Sequence, residues 1–565
     1  MTKRRFLWAL ATLVILAGVG LIAARGWLRQ QAFDFTGEES LGPQLLGTAQ
    51  LALNLTTPPL DLQPDAPIRF AGVNPYGINT FLQQEVDPAK RDEQLSLISE
   101  AGFRWIRQEF PWQDIEIHGR GDFIDRRNDP NGIDAWAKYD NIVSLAKKYN
   151  IQIIARISSP PAWSRAQPED KTGSFAPPDN LADYANFART LVSRYKGRIR
   201  FYQVWNEPNI YPEWGNQNVD PEGYTKLLCA AYSAIKQADP DAVVISGALA
   251  PTDELSGRDF NDFLFLTRMY RDGAGKCFDI LSMQGYGLWS GPTDHRMRPL
   301  VVNYARNEFI RDIMVRNGDA AKPIWISEMN WNVAPDDVVP AYGRATLDQQ
   351  ARWAPLAYQR AQKEWPWVGV IAFWYFKRAD TTWLDEKRPE AWFQMSDPDF
   401  HLMPVYDSMK AYTHQPPVLY PGAHPADDFA VHYGSAWTAA DGQAIAAPQA
   451  AADPAATLTF DGTSIRVDFG PSAAPHSAIS YTVDGGQPVS VDAGVPYTVW
   501  KGWWGTHTLT INATGPATII GYTVSNDLPL VIQMIGVAIV VIVAAILLLR
   551  RKLPASSTPR ETSHE

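Results

Sequence analysis

The stretch "FYQVWNEPNI", Phe201 to Ile210, is mostly apolar and aromatic up to Trp205 and then meets Asn206-Glu207-Pro208. A strand that simply ended in solvent has many polar residues to choose from. An amide, a carboxylate and a proline in succession instead put a carboxyl group at a strand end. Seven other short apolar runs surround it: "FAGVNPYG" (70–77), "FRWIRQEF" (103–110), "IQIIARIS" (151–158), "AVVISGALA" (242–250), "FDILSMQGY" (278–286), "PIWISEMNW" (323–331) and "GVIAFWYF" (369–376). Segments of helical period lie between them. In "DAWAKYDNIVSLAKKY", Trp136, Tyr139, Ile142, Val143, Ala146 and Tyr149 share one face. "PDFHLMPVYDSMKAY" (398–412) supplies an eighth helix. Eight strand-then-helix units predict an α/β fold, a parallel (β/α)8 TIM barrel.

Loop lengths agree. Helix-to-strand links are short, as in "KGR" (196–198), "DPD" (239–241) and "AKP" (321–323). Strand-to-helix links are long: 110–133, 158–180, 287–299, 331–346 and 377–397. All the long loops therefore belong to the C-terminal end of the barrel strands, where barrel enzymes carry their chemistry.

After about Pro416 the helical period is lost. "ATLTFDGTSIRVDFG", "AISYTVDGGQPVSVDAG" and "HTLTINATGPATIIGYTVS" alternate at period two between turn signals. This predicts an all-β, jelly-roll-like sandwich. Trp500, Trp503 and Trp504 in "WKGWWGTHTLTINATG" leave three roles open: sugar binding, packing on the barrel, or facing a bilayer.

Two segments are long and apolar enough to cross a membrane. Phe6–Ala24 follows Lys3, Arg4 and Arg5; Leu530–Leu549 is uncharged and precedes Arg550, Arg551 and Lys552. The basic flanks put both termini inside and residues from about 30 to 528 outside the cytoplasm. A cleaved signal peptide at the first segment gives the same side. The expected organisation is 1–29 transmembrane segment or signal anchor, 30–66 linker, 67–415 barrel, 416–527 sandwich, 528–552 transmembrane helix and 553–565 cytoplasmic tail.

Composition excludes several classes. The 565 residues carry a formal net charge of −10, with no long basic run outside the membrane flanks, so nucleic acid is not an expected partner. Two cysteines, Cys229 and Cys277, exclude a disulfide scaffold and a cysteine-rich zinc site; two separate thiols are the expectation, with a single bridge between them the alternative. His118, His295, His401 and Asp336-Asp337 lack metal-ligand spacing, so neither metal nor cofactor is expected. Aromatic residues reach 12%, with 21 Trp, and indoles on a rim suit sugar rings. Trp163, Trp214, Trp289, Trp331, Trp383 and Trp392 all fall on the long loops.

The chemistry centres on two carboxylates. Glu207 ends the fourth strand; Glu328, in "WISEMNW", ends the seventh. These strands lie across a barrel mouth from each other. Paired carboxylates flanking a bond are what glycoside hydrolysis needs: one protonates the leaving oxygen, the other attacks the anomeric carbon or activates water. A retaining pair stands about 5–5.5 Å apart.

On these residues the chain from about 70 to 412 resembles the clan A glycoside hydrolases, the barrel superfamily that includes families 5 and 39. Its signature is Asn-Glu-Pro ending strand four, here Asn206-Glu207-Pro208, and a Glu ending strand seven, here Glu328. The resemblance implies Glu207 as acid/base, Glu328 as nucleophile and Asn206 on the sugar 2-hydroxyl. It also implies Arg107 of "WIRQEF" and Tyr286 as partners of the nucleophile, and Trp374 of "AFWYF" as the floor under the sugar at the cleavage point. Gln284 stands where the family often has His before Gly285-Tyr286, a departure that alters hydroxyl contacts. The expectation is a membrane-held, extracytoplasmic retaining glycosidase acting on a poly- or oligosaccharide. The rival readings are a non-catalytic sugar-binding or surface-assembly protein, and a transglycosylase.

Overall fold

The computed structural model describes residues 26–63, 68–447, 452–470, 478–492 and 496–526. The two segments expected to span a membrane, Phe6–Ala24 and Leu530–Leu549, lie outside the described residues. Among the described residues no helix is long and apolar enough to cross one. Two compact units divide the chain: one runs to Pro417 and includes 423–430, the other holds 418–422 and everything from Val431 on.

The first unit is a parallel eight-stranded barrel. Its strands are β1 (Tyr76–Thr80), β2 (Trp105–Pro111), β3 (Gln152–Ser158), β4 (Phe201–Val204), β5 (Val243–Ile245), β6 (Leu281–Gln284), β7 (Ile324–Met329) and β8 (Val368–Phe373). Ladders join β5-β4-β3-β2-β1-β8-β7-β6 in that order. Isolated parallel bridges, Ile245↔Ile280 and Leu249↔Met283, link the β5 and β6 regions and complete the ring. Helices follow the strands, and their starts are written in the sequence. Asp87-Pro88 and Asp220-Pro221 each pair a capping carboxylate with a proline at the first helical position, opening Pro88–Glu100 and Pro221–Ala238. Thr346 and Gln349 form a reciprocal capping box at the start of Leu347–Glu364.

The first strand begins later than the apolar run at 70–77 predicts. Residues 68–75 instead close the barrel floor. Trp105, Phe201 and Trp325 pack there with ring centroids 5.0–5.1 Å apart. Their indoles donate to this segment: Trp105 Nε1 to Asn74 O at 2.8 Å and Trp325 Nε1 to Phe70 O at 2.9 Å. Phe70 sits at φ 64°, a left-handed turn that no strand accommodates, and Pro75 has no N–H to give a ladder. An apolar plug and an apolar strand look alike in sequence.

Two further expectations change. Cys229 and Cys277 are not separate thiols; they form a disulfide with Cα atoms 4.8 Å apart. Helix Pro221–Ala238 carries the first and the turn after Ala274–Lys276 carries the second. Their separation of 48 residues gave no hint of this pairing. The stretch 30–66, expected as a linker, holds a helix at Leu41–Asn54 and bonds to the barrel unit through Glu38 and Glu39.

The second unit is antiparallel β. Its strands are β9 (Val431–Tyr433), β10 (Trp437–Ala440), β11 (Gln443–Ala446), β12 (Ala455–Phe469), β13 (Ala478–Val483), β14 (Val489–Asp492), β15 (Tyr497–Ala513) and β16 (Ala517–Ser525). They pair in the order β10-β11-β16-β12-β15-β13-β14, with β9 on β12. Burial along β12 alternates, as the period-two pattern predicts. Trp500 packs against His507 and Phe460, whereas Trp503 and Trp504 are exposed.

Candidate active site

Arg107 is the hub. It lies mid-strand in β2, buried, and every bond it makes is to a side chain from another strand or strand end. Its Nε donates to Gln203 Oε1 at 2.6 Å, Nη1 to Asn79 Oδ1 at 2.9 Å and to Glu328 Oε1 at 2.8 Å, and Nη2 to Asn206 Oδ1 at 2.6 Å. A buried guanidinium is tolerated only when its donors and charge are met, and here amides and one carboxylate meet them. Gln203 is held in turn by Ser327 Oγ and Ser246 O. Arg107 thus sets the positions of both Glu328 and Asn206.

Glu328, near the end of β7, is buried and held at both oxygens. Oε1 takes the Arg107 bond, and Tyr286 OH donates to Oε2 at 2.7 Å. Burial, and after it the charges of Glu328 and Glu207, push the Tyr286 phenol far up, so it stays a proton donor. A carboxylate fixed by two donors is pre-aimed and loses little freedom on reacting.

Glu207 sits in the opposite kind of setting. The chain leaves β4 through two left-handed residues, Trp205 at φ 78° and Glu207 itself at φ 36°. Non-glycine residues hold such angles only where the surroundings over-determine them. Here Glu207 N donates to Ala248 O at 2.9 Å, and Ile210 N to Glu207 O at 3.1 Å. Pro208 takes the second position of that turn, which its fixed φ suits. Trp205 Nε1 donates to Glu213 O, and Asn209 ties the loop to Ala250 and Phe260. The Glu207 carboxyl receives one side-chain bond, from Gln284 Nε2 at 3.3 Å. Burial raises its pKa well above the usual carboxylate range, and the charges of Glu328 and then Glu213 push the same way.

Asn206, Glu207, Gln284, Tyr286, Glu328 and Trp374 lie at or just beyond the C-terminal ends of barrel strands, and Arg107 lies within β2. Gln284 contacts Glu207, and its Oε1 has no partner among the described residues, leaving a buried acceptor beside that carboxyl. Trp374 follows β8, half-buried, with its ring against Phe81 at 5.6 Å. Among the loop tryptophans, Trp214 and Trp331 are core residues, and Trp289 is exposed.

Sequence reasoning missed five site residues. Asn79 and Gln203 are the buried amides around Arg107. Glu109 pairs with Arg156 at 2.8 Å and accepts from Ser158 and Ser159. Burial carries the Glu213 pKa to about 7, with Arg156 pulling down, Glu109 and Glu328 pushing up, and the Asn206 side chain pulling down. The signal was present for three of them: a polar side chain inside an apolar parallel strand is out of pattern, as at Gln203, Glu109 and Arg156. A cleft of about 600 Å³ adjoins this cluster, lined by Gln83, Gln84, Glu109, Gln113, Ser159 and Phe175 among others. Among the described residues no group of acidic, His or Cys side chains is placed to hold a metal ion.

The raised Glu207 pKa has a price in stability. Its contribution is present below the unfolded value near 4.5 and is lost as pH rises through the folded value. E207Q removes that ionisation. Its midpoint of thermal unfolding should exceed the native protein's by roughly 1–3 °C at pH 8 and converge with it at pH 4. An equal difference at both pH values would show the gain to come from something other than charge.

No protein-family model matches the chain, and none of the curated proteins does. Solved structures similar to it include a family 39 glycoside hydrolase from the gut symbiont Bacteroides cellulosilyticus WH2, at TM-score 0.46 and 15% identity over 80% of this chain and 83% of that one. Another is a monomeric beta-xylosidase from Caulobacter crescentus CB15, at TM-score 0.43 and 14% identity over 81% and 99%. A third is xylanase 10B from Thermotoga maritima, at TM-score 0.41 and 18% identity over 62% and 98%.

Proposed function

We propose that the chain is a retaining glycoside hydrolase acting on a poly- or oligosaccharide outside the cytoplasm. The observation that carries this is the contrast between two carboxyl groups at one barrel mouth. Glu328 is pinned by a guanidinium and a phenol, while burial and neighbouring negative charge favour a proton on Glu207. A carboxyl whose surroundings favour its proton, beside a carboxylate fixed by two donors, marks an acid and a nucleophile.

In this reading Glu328 attacks the anomeric carbon while Glu207 gives its proton to the departing oxygen. The glycosyl ester then formed on Glu328 is neutral. One of the charges that raised the Glu207 pKa is gone, so Glu207 becomes a better-ionised base for the incoming water. The same electrostatic coupling thus serves both steps. Gln284 Oε1 offers an acceptor to a sugar hydroxyl, and the neighbouring amide-rich cleft has room for further sugar units. The apolar segments at 6–24 and 530–549 hold the protein to the membrane. The Cys229–Cys277 bridge fits an oxidising compartment.

Hydrolysis of a glycan panel, with NMR of the first-formed anomer, tests the proposal. Net retention supports it. Inversion removes the nucleophile role, and sugar transfer dominating over hydrolysis makes the protein a transglycosylase. No turnover on any glycan that binds leaves a sugar-binding protein.

Glu213 offers a separate check on the acid. Its negative charge helps to raise the Glu207 pKa. E213Q should therefore move the alkaline limb of kcat/KM to lower pH, because Glu207 then loses its proton earlier. An unmoved limb would mean that the two groups are not coupled in the working enzyme.

A further inference from the structure

The helix Leu41–Asn54 is amphipathic with its faces reversed. Gln44 and Gly47 are buried, and Leu51 and Asn54 are half-buried, forming one stripe along the helix. That stripe holds two amides, a glycine and one leucine, and the barrel unit is what it meets. Asn54 Nδ2 donates to Met297 O, and Gln50 Oε1 accepts from Arg296 Nη1. The opposite stripe is leucine, and it faces outward. Leu41 is 60% exposed, Leu45 66%, Leu46 63% and Leu53 68%. The helical residues 26–36 just before it add Trp27 and Phe35, also exposed. A helix normally turns its apolar stripe to the core, so an outward apolar stripe marks an interaction surface.

The sequence says what that surface meets. The uncharged 19-residue apolar stretch Phe6–Ala24 precedes the described helical residues 26–36 in the sequence. Leu41–Asn54 itself carries no charge at all. Its 14 residues extend about 21 Å, too short to cross a hydrocarbon layer of about 30 Å. It is therefore suited to lie along a bilayer rather than to span it. The attachment to the barrel is firm. Glu38 accepts from Arg296 at 2.7 Å, Glu39 accepts from Arg352 and Trp353 at 3.0 Å, and Gly291 N donates to Gly37 O at 2.8 Å.

We infer that the Leu41–Asn54 helix rests on the lipid bilayer with Leu41, Leu45, Leu46 and Leu53 in its apolar boundary, docking the barrel unit to the membrane surface. This rests on the membrane-anchoring part of the proposed function but not on its chemistry. The contact would hold the catalytic unit in one orientation to the membrane, where a simple tether would let it tumble.

The test uses the full chain in phosphatidylcholine vesicles. Both native cysteines are bridged, so L45C and L53C each present one thiol for a nitroxide label. Both positions are exposed, and packing is left intact. Collision with dissolved oxygen should rise, and collision with a water-soluble nickel chelate should fall roughly fivefold or more relative to D129C on an exposed loop. Nickel access equal to that at D129C overturns the inference, because the face is then in water. Shielding from both collision partners also overturns it, because protein, either a second copy or another segment of this chain, then covers the face. Release of the chain by an alkaline carbonate wash removes the anchoring reading and the inference together. Retention with water-exposed leucines removes only the inference.

Discussion

Glu328→Ala is expected to lower hydrolysis by roughly 10⁴-fold or more, and to do so for good and poor leaving groups alike. The group lost is the one that forms the new bond, so no substrate can compensate. No covalent glycosyl-enzyme should be trapped with a slow substrate. Added azide, small enough to occupy the vacated space, should attack the anomeric carbon directly and give the glycosyl azide of inverted configuration. The variant also leaves Arg107 without its carboxylate partner and Tyr286 without its acceptor. A stability loss is therefore expected beside the catalytic one, and binding of substrate must be checked separately. Activity near the native level would make Glu328 a structural anchor for Arg107 and end the nucleophile assignment.

Glu207→Ala should behave differently, and the difference is the more informative result. Loss of a general acid costs roughly 10²–10⁴-fold where the leaving group needs protonation. An aryl glycoside with an acidic phenol does not, so its first step should survive. The intermediate should then accumulate, because nothing activates water. Azide should release it as the glycosyl azide of retained configuration. NMR of the azide products from the two variants reads the roles directly. Swapped configurations would reverse the assignments; wild-type hydrolysis by both would leave the sugar-binding reading.

Much of the fold is legible without coordinates. Runs of β-branched and aromatic residues alternate eight times with amphipathic helices; a helix-covered parallel sheet buries such strands on both faces, and eight units suit its closure into a barrel. The caps at Asp87-Pro88 and Asp220-Pro221 and the long loops on one side complete the reading. The two carboxylates are visible because they break an apolar pattern at strand ends. Gln203, Glu109 and Arg156 break it too, but within strands, where they are easily passed over as tolerated polar residues. The floor segment 68–75 misleads, because burial leaves the same apolar trace whether a segment joins a ladder or plugs its end.

The sequence by itself determined the order of elements, the barrel class, the antiparallel character of the last described region, and the presence of Glu207 and Glu328 at strand ends. These follow from local periodicity and turn chemistry, which each short window carries in full. Only the tertiary structure decided which groups act on which. It brought the amides of Asn79 from β1, Gln203 from β4 and Asn206 just beyond it onto the Arg107 guanidinium of β2. It joined Cys229 to Cys277 and set Glu213 beside Asn206. It also turned the leucines of 41–54 outward. Contacts between distant residues depend on how all eight strands close at once, and the Glu207 pKa depends on the burial and charges that this closure creates, so no single stretch of chain encodes them.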